Sequence, residues 1–102
     1  MDAVFGLLTN FHTKPEDQEK LAEILLRAAE ALEDYQTCLQ YQVILNANDR
    51  EVVSVLEVWT DKGHHEASLE NPATVEAINE ARPLILSIER QKEFDFIGGK
   101  GI

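Results

Sequence analysis

One cysteine, one tryptophan, one methionine and only nine basic residues are spread over 102 positions. A lone Cys38 forms no intrachain disulfide, and Gln36-Thr37-Cys38-Leu39-Gln40 offers no cation to stabilise a thiolate. A reduced, packed thiol is therefore expected there. Nineteen acidic residues leave a net charge of −10, with no Lys or Arg run to neutralise phosphates. Nucleic acid and anionic membrane surfaces are excluded as partners on that ground. The Met-Asp start has no basic flank, and no long apolar segment follows, which predicts a soluble cytoplasmic chain without signal peptide or membrane span. Spaced metal ligands, dinucleotide loops and nucleophile elbows are missing too, so neither metal nor cofactor is expected.

What is present is a core. Hydrophobic residues make up 44% of the chain, ample for one domain without staples. The expected boundaries are a single domain over 1–97 and a flexible Gly-rich tail over 98–102. Val52-Val53-Ser54-Val55-Leu56-Glu57-Val58-Trp59 is interrupted only by Ser54 and Glu57, so it reads as a strand buried on both faces. Two helical segments in so short a chain cover only one sheet face. A second copy of the same sheet is the cheapest cover for the other, which predicts a homodimer packed sheet to sheet.

Around that strand the other elements follow. Ala3 to Phe11 reads as a first strand. Thr13-Lys14-Pro15-Glu16 reads as a helix start with a hydroxyl cap and an early Pro. Leu21, Ile24, Leu25, Ala28, Ala31, Leu32 and Tyr35 recur at helical spacing. Thr37 to Leu45 alternates as a second strand, with Tyr41 on its apolar face, and Asn46 to Arg50 is a hairpin turn. A short helix from about Asp61 stops at Asn71-Pro72, a further helical segment ends at Pro83, and Ile88 to Phe96 closes as an edge strand. The order is β-α-β-β-α-β: an α+β, ferredoxin-like fold, with an antiparallel four-stranded sheet and helices on one face.

With that order in place, Val58-Trp59-Thr60-Asp61, Ala67-Ser68-Leu69-Glu70-Asn71-Pro72 and Ala81-Arg82-Pro83-Leu84-Ile85 resemble the antibiotic biosynthesis monooxygenase family from Phe5 to Phe96. The resemblance implies a dimeric α+β barrel. It also implies cofactor-independent monooxygenation of a quinol or polyphenol, a small aromatic ligand. Two family patterns are absent. Ser68 stands where members often carry a His in the short helix. The positions aligned with the haem-degrading branch hold Leu8, Ala67 or Ser68, and Ile78, which argues against haem degradation. A non-catalytic small-molecule-binding or stress-associated dimer, and a cofactor-free isomerase or decarboxylase, are the alternatives.

Such an oxygenase needs a base at the phenol and walls that exclude water. The candidate bases are His64 and His65, just past the Trp59 strand end, and then His12. Adjacent helical histidines diverge and lack a third ligand, so they form no metal site. Their competing reading is exposure at a helix start loosened by Gly63. Asn10 and His12 share parity with Leu8, aligned with the cleft-facing position, although His12 also suits a turn. Trp59 is a packing residue or a pocket wall. The hydroxyls of Tyr35 and Tyr41 are donors to a substrate or satisfied core groups, and Arg82 is a substrate contact or the partner of a nearby carboxylate.

Overall fold

The computed structural model of the protein describes residues 3–101, apart from the side chains at positions 90 and 91. Residues 1, 2 and 102 of the expected domain and tail lie outside that span. Strand β1 covers Val4–His12, helix α1 Gln18–Ala31, β2 Cys38–Asn46, β3 Asp49–Trp59, α2 Lys62–Ser68, α3 Pro72–Ala81 and β4 Ser87–Phe96. The four strands form one antiparallel sheet in the order β2-β3-β1-β4, the ferredoxin-like arrangement. No helix among the described residues is long and apolar enough to cross a membrane.

Helix α1 exists because its apolar positions fall on one face: Leu21, Ala22, Ile24, Leu25 and Ala28 are all buried. The first four meet Val53 and Val55 of β3, which are shielded from solvent, and with Ala81 they form the core. Two local expectations are revised. Thr13 does not cap α1; its hydroxyl donates to the Leu84 carbonyl at 2.7 Å, tying the exit of β1 to the segment before β4. A 3-10 turn over Pro15–Asp17 precedes the helix instead. Tyr35 lies beyond α1, because the helix tightens into i→i+3 turns once Leu32 N–H bonds back to the Ala29 carbonyl at 3.0 Å.

Asp61 accepts from the His64 N–H at 2.8 Å and so starts α2. Asn71-Pro72 both stops α2 and starts α3, whose first amides bond the Asn71 side chain. Helix α1 lies on β2 and β3, whereas α3 packs chiefly against α1. A gap is thereby left under α3, over the β1 side of the sheet.

The other face of the sheet carries Leu8, Leu56 and Phe94, all half-buried. Here the Phe96 ring lies across Gly6, where an added Cβ would sit 2.0 Å from a ring carbon. Gly6→Ala is expected to push the ring aside and lower stability by about 1–3 kcal/mol. Thermal melts check this; the same substitution in a Phe96→Ala background should cost much less. At the end of the chain, Gln40 Nε2 donates to the Gly101 carbonyl at 2.9 Å.

Candidate functional site

The gap under α3 is a cavity of about 220 Å³ with mostly apolar walls. Its floor is the sheet, through Leu7, Thr9, Phe11, Tyr41 and Glu57. Alternation puts these residues on one face: Leu7 of β1 and Tyr41 of β2 both lie opposite Glu57 of β3. The roof is α1 and α3, and His65 closes one end from α2. The half-exposed side chains of Leu69, Ile78 and Ile88 also line it. A larger depression of about 510 Å³ at the sheet end is lined by Asp61, Lys62, Glu93 and Asp95, without a buried polar group converging on it.

Polar chemistry in the cavity centres on Glu57 and His65. The His65 side chain is 6% exposed and that of Glu57 13%, with Nε2 3.7 Å from Oε1. The imidazole is wedged between Phe5 and Trp59, with ring centroids 5.7 and 5.6 Å away. Trp59 Nε1 donates to the same Glu57 oxygen at 3.2 Å. The His65 main-chain carbonyl accepts from Ser68 Oγ at 2.5 Å. A carboxylate and an imidazole held this way, beside an apolar space, are able to take up a proton from a bound group.

Two neighbours stay protonated at neutral pH. Burial, then the Glu57 charge and then Cys38, push the Tyr41 phenol up, so it serves as a hydrogen-bond donor and not as a base. Burial and Glu57 likewise push the Cys38 thiol up to about 11 against a lowering bond with Gln40, which leaves little nucleophilic thiolate. Among the described residues no group of three or more His, Cys, Asp or Glu side chains is placed to hold a metal ion.

Of the eight residues singled out from the sequence, His65 and Tyr41 line the cavity and six do not. His64 points outward, half-exposed, with Nδ1 2.6 Å from the Asp61 carboxylate. Asn10 and His12 lie on the opposite face of the sheet. The register pairs Asn10 with Ser54, whose hydroxyl donates to it at 2.6 Å, and His12 with Val52. The odd-numbered residues of β1 face the helices, so parity with Leu8 selected the wrong side. Trp59 is fully buried behind His65, so it braces the pair and is no wall. The Tyr35 hydroxyl accepts from Asn71 Nδ2 and thereby anchors the start of α3. Arg82 is exposed beyond α3, and no carboxylate pairs with it among the described residues.

Glu57 is the residue that sequence reasoning passed over. Its signal was present as the interruption in the buried strand run, two positions before Trp59. An ionisable group at a doubly apolar position needs a partner, and the partner is His65.

The chain matches the antibiotic biosynthesis monooxygenase family model over residues 4–80. Among solved structures it is similar to a candidate antibiotic biosynthesis monooxygenase from Chloroflexus aurantiacus. The two are 31% identical over 97% of this chain and 98% of that one, with a TM-score of 0.87. A Caulobacter crescentus protein of the same description is 18% identical over 95% and 92% of the two chains, with a TM-score of 0.80. SnoaB, a cofactor-independent oxygenase from Streptomyces nogalater, is 16% identical over 98% of each chain, with a TM-score of 0.76. The likeness to these last two speaks for the fold alone. No curated protein matches the chain.

Proposed function

Because the chain belongs to the antibiotic biosynthesis monooxygenase family, we propose that it oxygenates a phenolic or quinolic aromatic compound in the cavity under α3, without a bound cofactor. The observation that carries this reading is the buried Glu57–His65 pair opening onto an apolar space.

The ring hydroxyl gives its proton to the pair. Being electron-rich, the resulting anion passes one electron to O2, and the radical pair recombines at a ring carbon. One oxygen atom stays on the ring and the other leaves as water, with the substrate itself supplying the two further electrons. Apolar walls keep bulk water from the radical pair. Tyr41 donates to the substrate oxygen, and Trp59 holds Glu57 in place.

The active unit in this reading is a homodimer. Leu8, Leu56 and Phe94 form an apolar strip on the sheet face away from the helices, suited to a second copy of itself. The single cysteine fits a reducing, cytoplasmic location.

Oxygen uptake with a panel of reduced quinols and polyphenols, with no flavin or metal added, tests the activity. One O2 consumed per ring oxygenated is the expected result. Saturable binding of panel members without any uptake would overturn it in favour of a small-molecule-binding protein.

A further inference from the structure

Helix α3 runs the same way as β1, and side chains fix both ends of that alignment. At its start Asn71 bonds Tyr35, just before β2, at the end of the sheet where Cys38 and Phe5 pair with Trp59. Past its end the Leu84 carbonyl accepts from Thr13, just after β1. The space between helix and strand is therefore a channel along β1. Its floor runs from Leu7, opposite Glu57, through Thr9 to Phe11, opposite Ile88. Four residue steps of a strand carry it roughly 14 Å.

Polarity is unequal along that length. Glu57, His65 and Tyr41 share one end, with Ser68 held to the His65 carbonyl. Beyond Thr9, the walls among the described residues are Phe11, Ala81, Ile85 and Ile88, all apolar. The long side toward β4 is open, because α1 lies on β2 and β3 and α3 chiefly on α1. There Leu69, Ile78 and Ile88 are 43%, 40% and 61% exposed, although all three line the cavity. Single exposed apolar side chains are ordinary. A row of them bordering an apolar channel marks a surface that a ligand covers.

Resting on the oxygenase reading of the same site, we propose that the ligand is an aromatic hydroxyl compound carrying a hydrocarbon chain. Its oxygen lies at the Glu57–His65 pair, and the chain follows β1 to the mouth at Ile88. An unsubstituted ring would occupy the polar end and leave the apolar end and its rim in water. A chain covers them. Each fully buried methylene tightens binding about fourfold, and one left half in solvent about twofold. Ile78 and Ile88 are thus specificity-determining residues that read the chain and not the ring.

Anaerobic titration calorimetry tests this with phenol, 4-ethylphenol, 4-butylphenol and 4-hexylphenol, each at concentrations where it is monomeric. Affinity should rise about twofold per methylene along the series. The methyl ether 4-hexylanisole keeps the chain but has no proton to share. It should bind at least roughly tenfold more weakly than 4-hexylphenol, the worth of a hydrogen bond to a charged group. Ile78→Ser combined with Ile88→Ser should cost 4-hexylphenol about tenfold and leave phenol unchanged. Both positions are partly exposed, so the fold should tolerate the change, and thermal melts verify it.

Affinity that is flat or undetectable across the series would overturn the proposal. So would equal binding of the anisole, or an undiminished chain effect in the double variant. Oxygen uptake, measured separately on these phenols and on the quinol panel, keeps the two readings apart. Uptake without any gain from a chain would defeat the chain inference and leave the oxygenase standing. Chain-dependent binding with no uptake from any compound would defeat the oxygenase and leave the binding mode standing.

Discussion

His65→Ala lowers quinol-dependent oxygen uptake by about 10²–10⁴, the usual worth of a positioned proton acceptor, while His64→Ala leaves uptake nearly as it was. The two histidines are neighbours in sequence and differ in everything that matters here. His65 is 4% exposed and faces Glu57; the side chain of His64 is half-exposed and bonded to Asp61 outside the cavity. Alanine at 65 also leaves a void between Phe5 and Trp59, so His65→Gln serves as a fuller side chain without the basic nitrogen. Glu57→Gln should lose less, because the imidazole remains and lacks only its charged neighbour. Steady-state oxygen electrode assays with thermal melts on each variant check this. Full turnover in His65→Ala would move the proton acceptor to Glu57 itself.

A second large effect is expected on assembly. Leu8 and Leu56 lie directly opposite one another on the sheet face away from the helices. In a two-fold sheet-to-sheet dimer each would be buried twice. Leu56→Glu then buries two uncompensated carboxylates in a chain that already carries a net charge of −10. An unpaired buried charge costs about 3–5 kcal/mol, so the dimer dissociation constant should rise by roughly 10³ or more. Light scattering across a concentration series reads this directly. The substitution points away from the cavity, so binding of a small quinol should survive it. A variant that stays dimeric, or a wild type monomeric at micromolar concentration, would rule out this interface.

The fold was legible because its signals are local. The helical spacing of α1, the hairpin turn at Asn46 to Arg50 and the Asn71-Pro72 junction each define an element without knowledge of the rest. The site was harder to read because it depends on which face each residue takes. In β1 a one-residue parity choice decides the side of the sheet, and Leu7, not Leu8, faces the helices. Glu57 looked like a mere interruption because its partner lies eight residues on, in another element.

Asp61 acts as an index pin for the screw that follows it. Successive residues on an α-helix are rotated by about 100°, so fixing where α2 begins fixes the azimuth of everything on it. By grasping the His64 amide and its ring together, Asp61 sets His65 at the bearing of Glu57. A chain with one residue more or fewer between the pin and the histidines would offer the cavity a different side chain from the same sequence. The doublet His64-His65 makes one such change of phase survivable, because with one residue more the preceding imidazole would turn toward the site, whereas with one fewer Glu66 would.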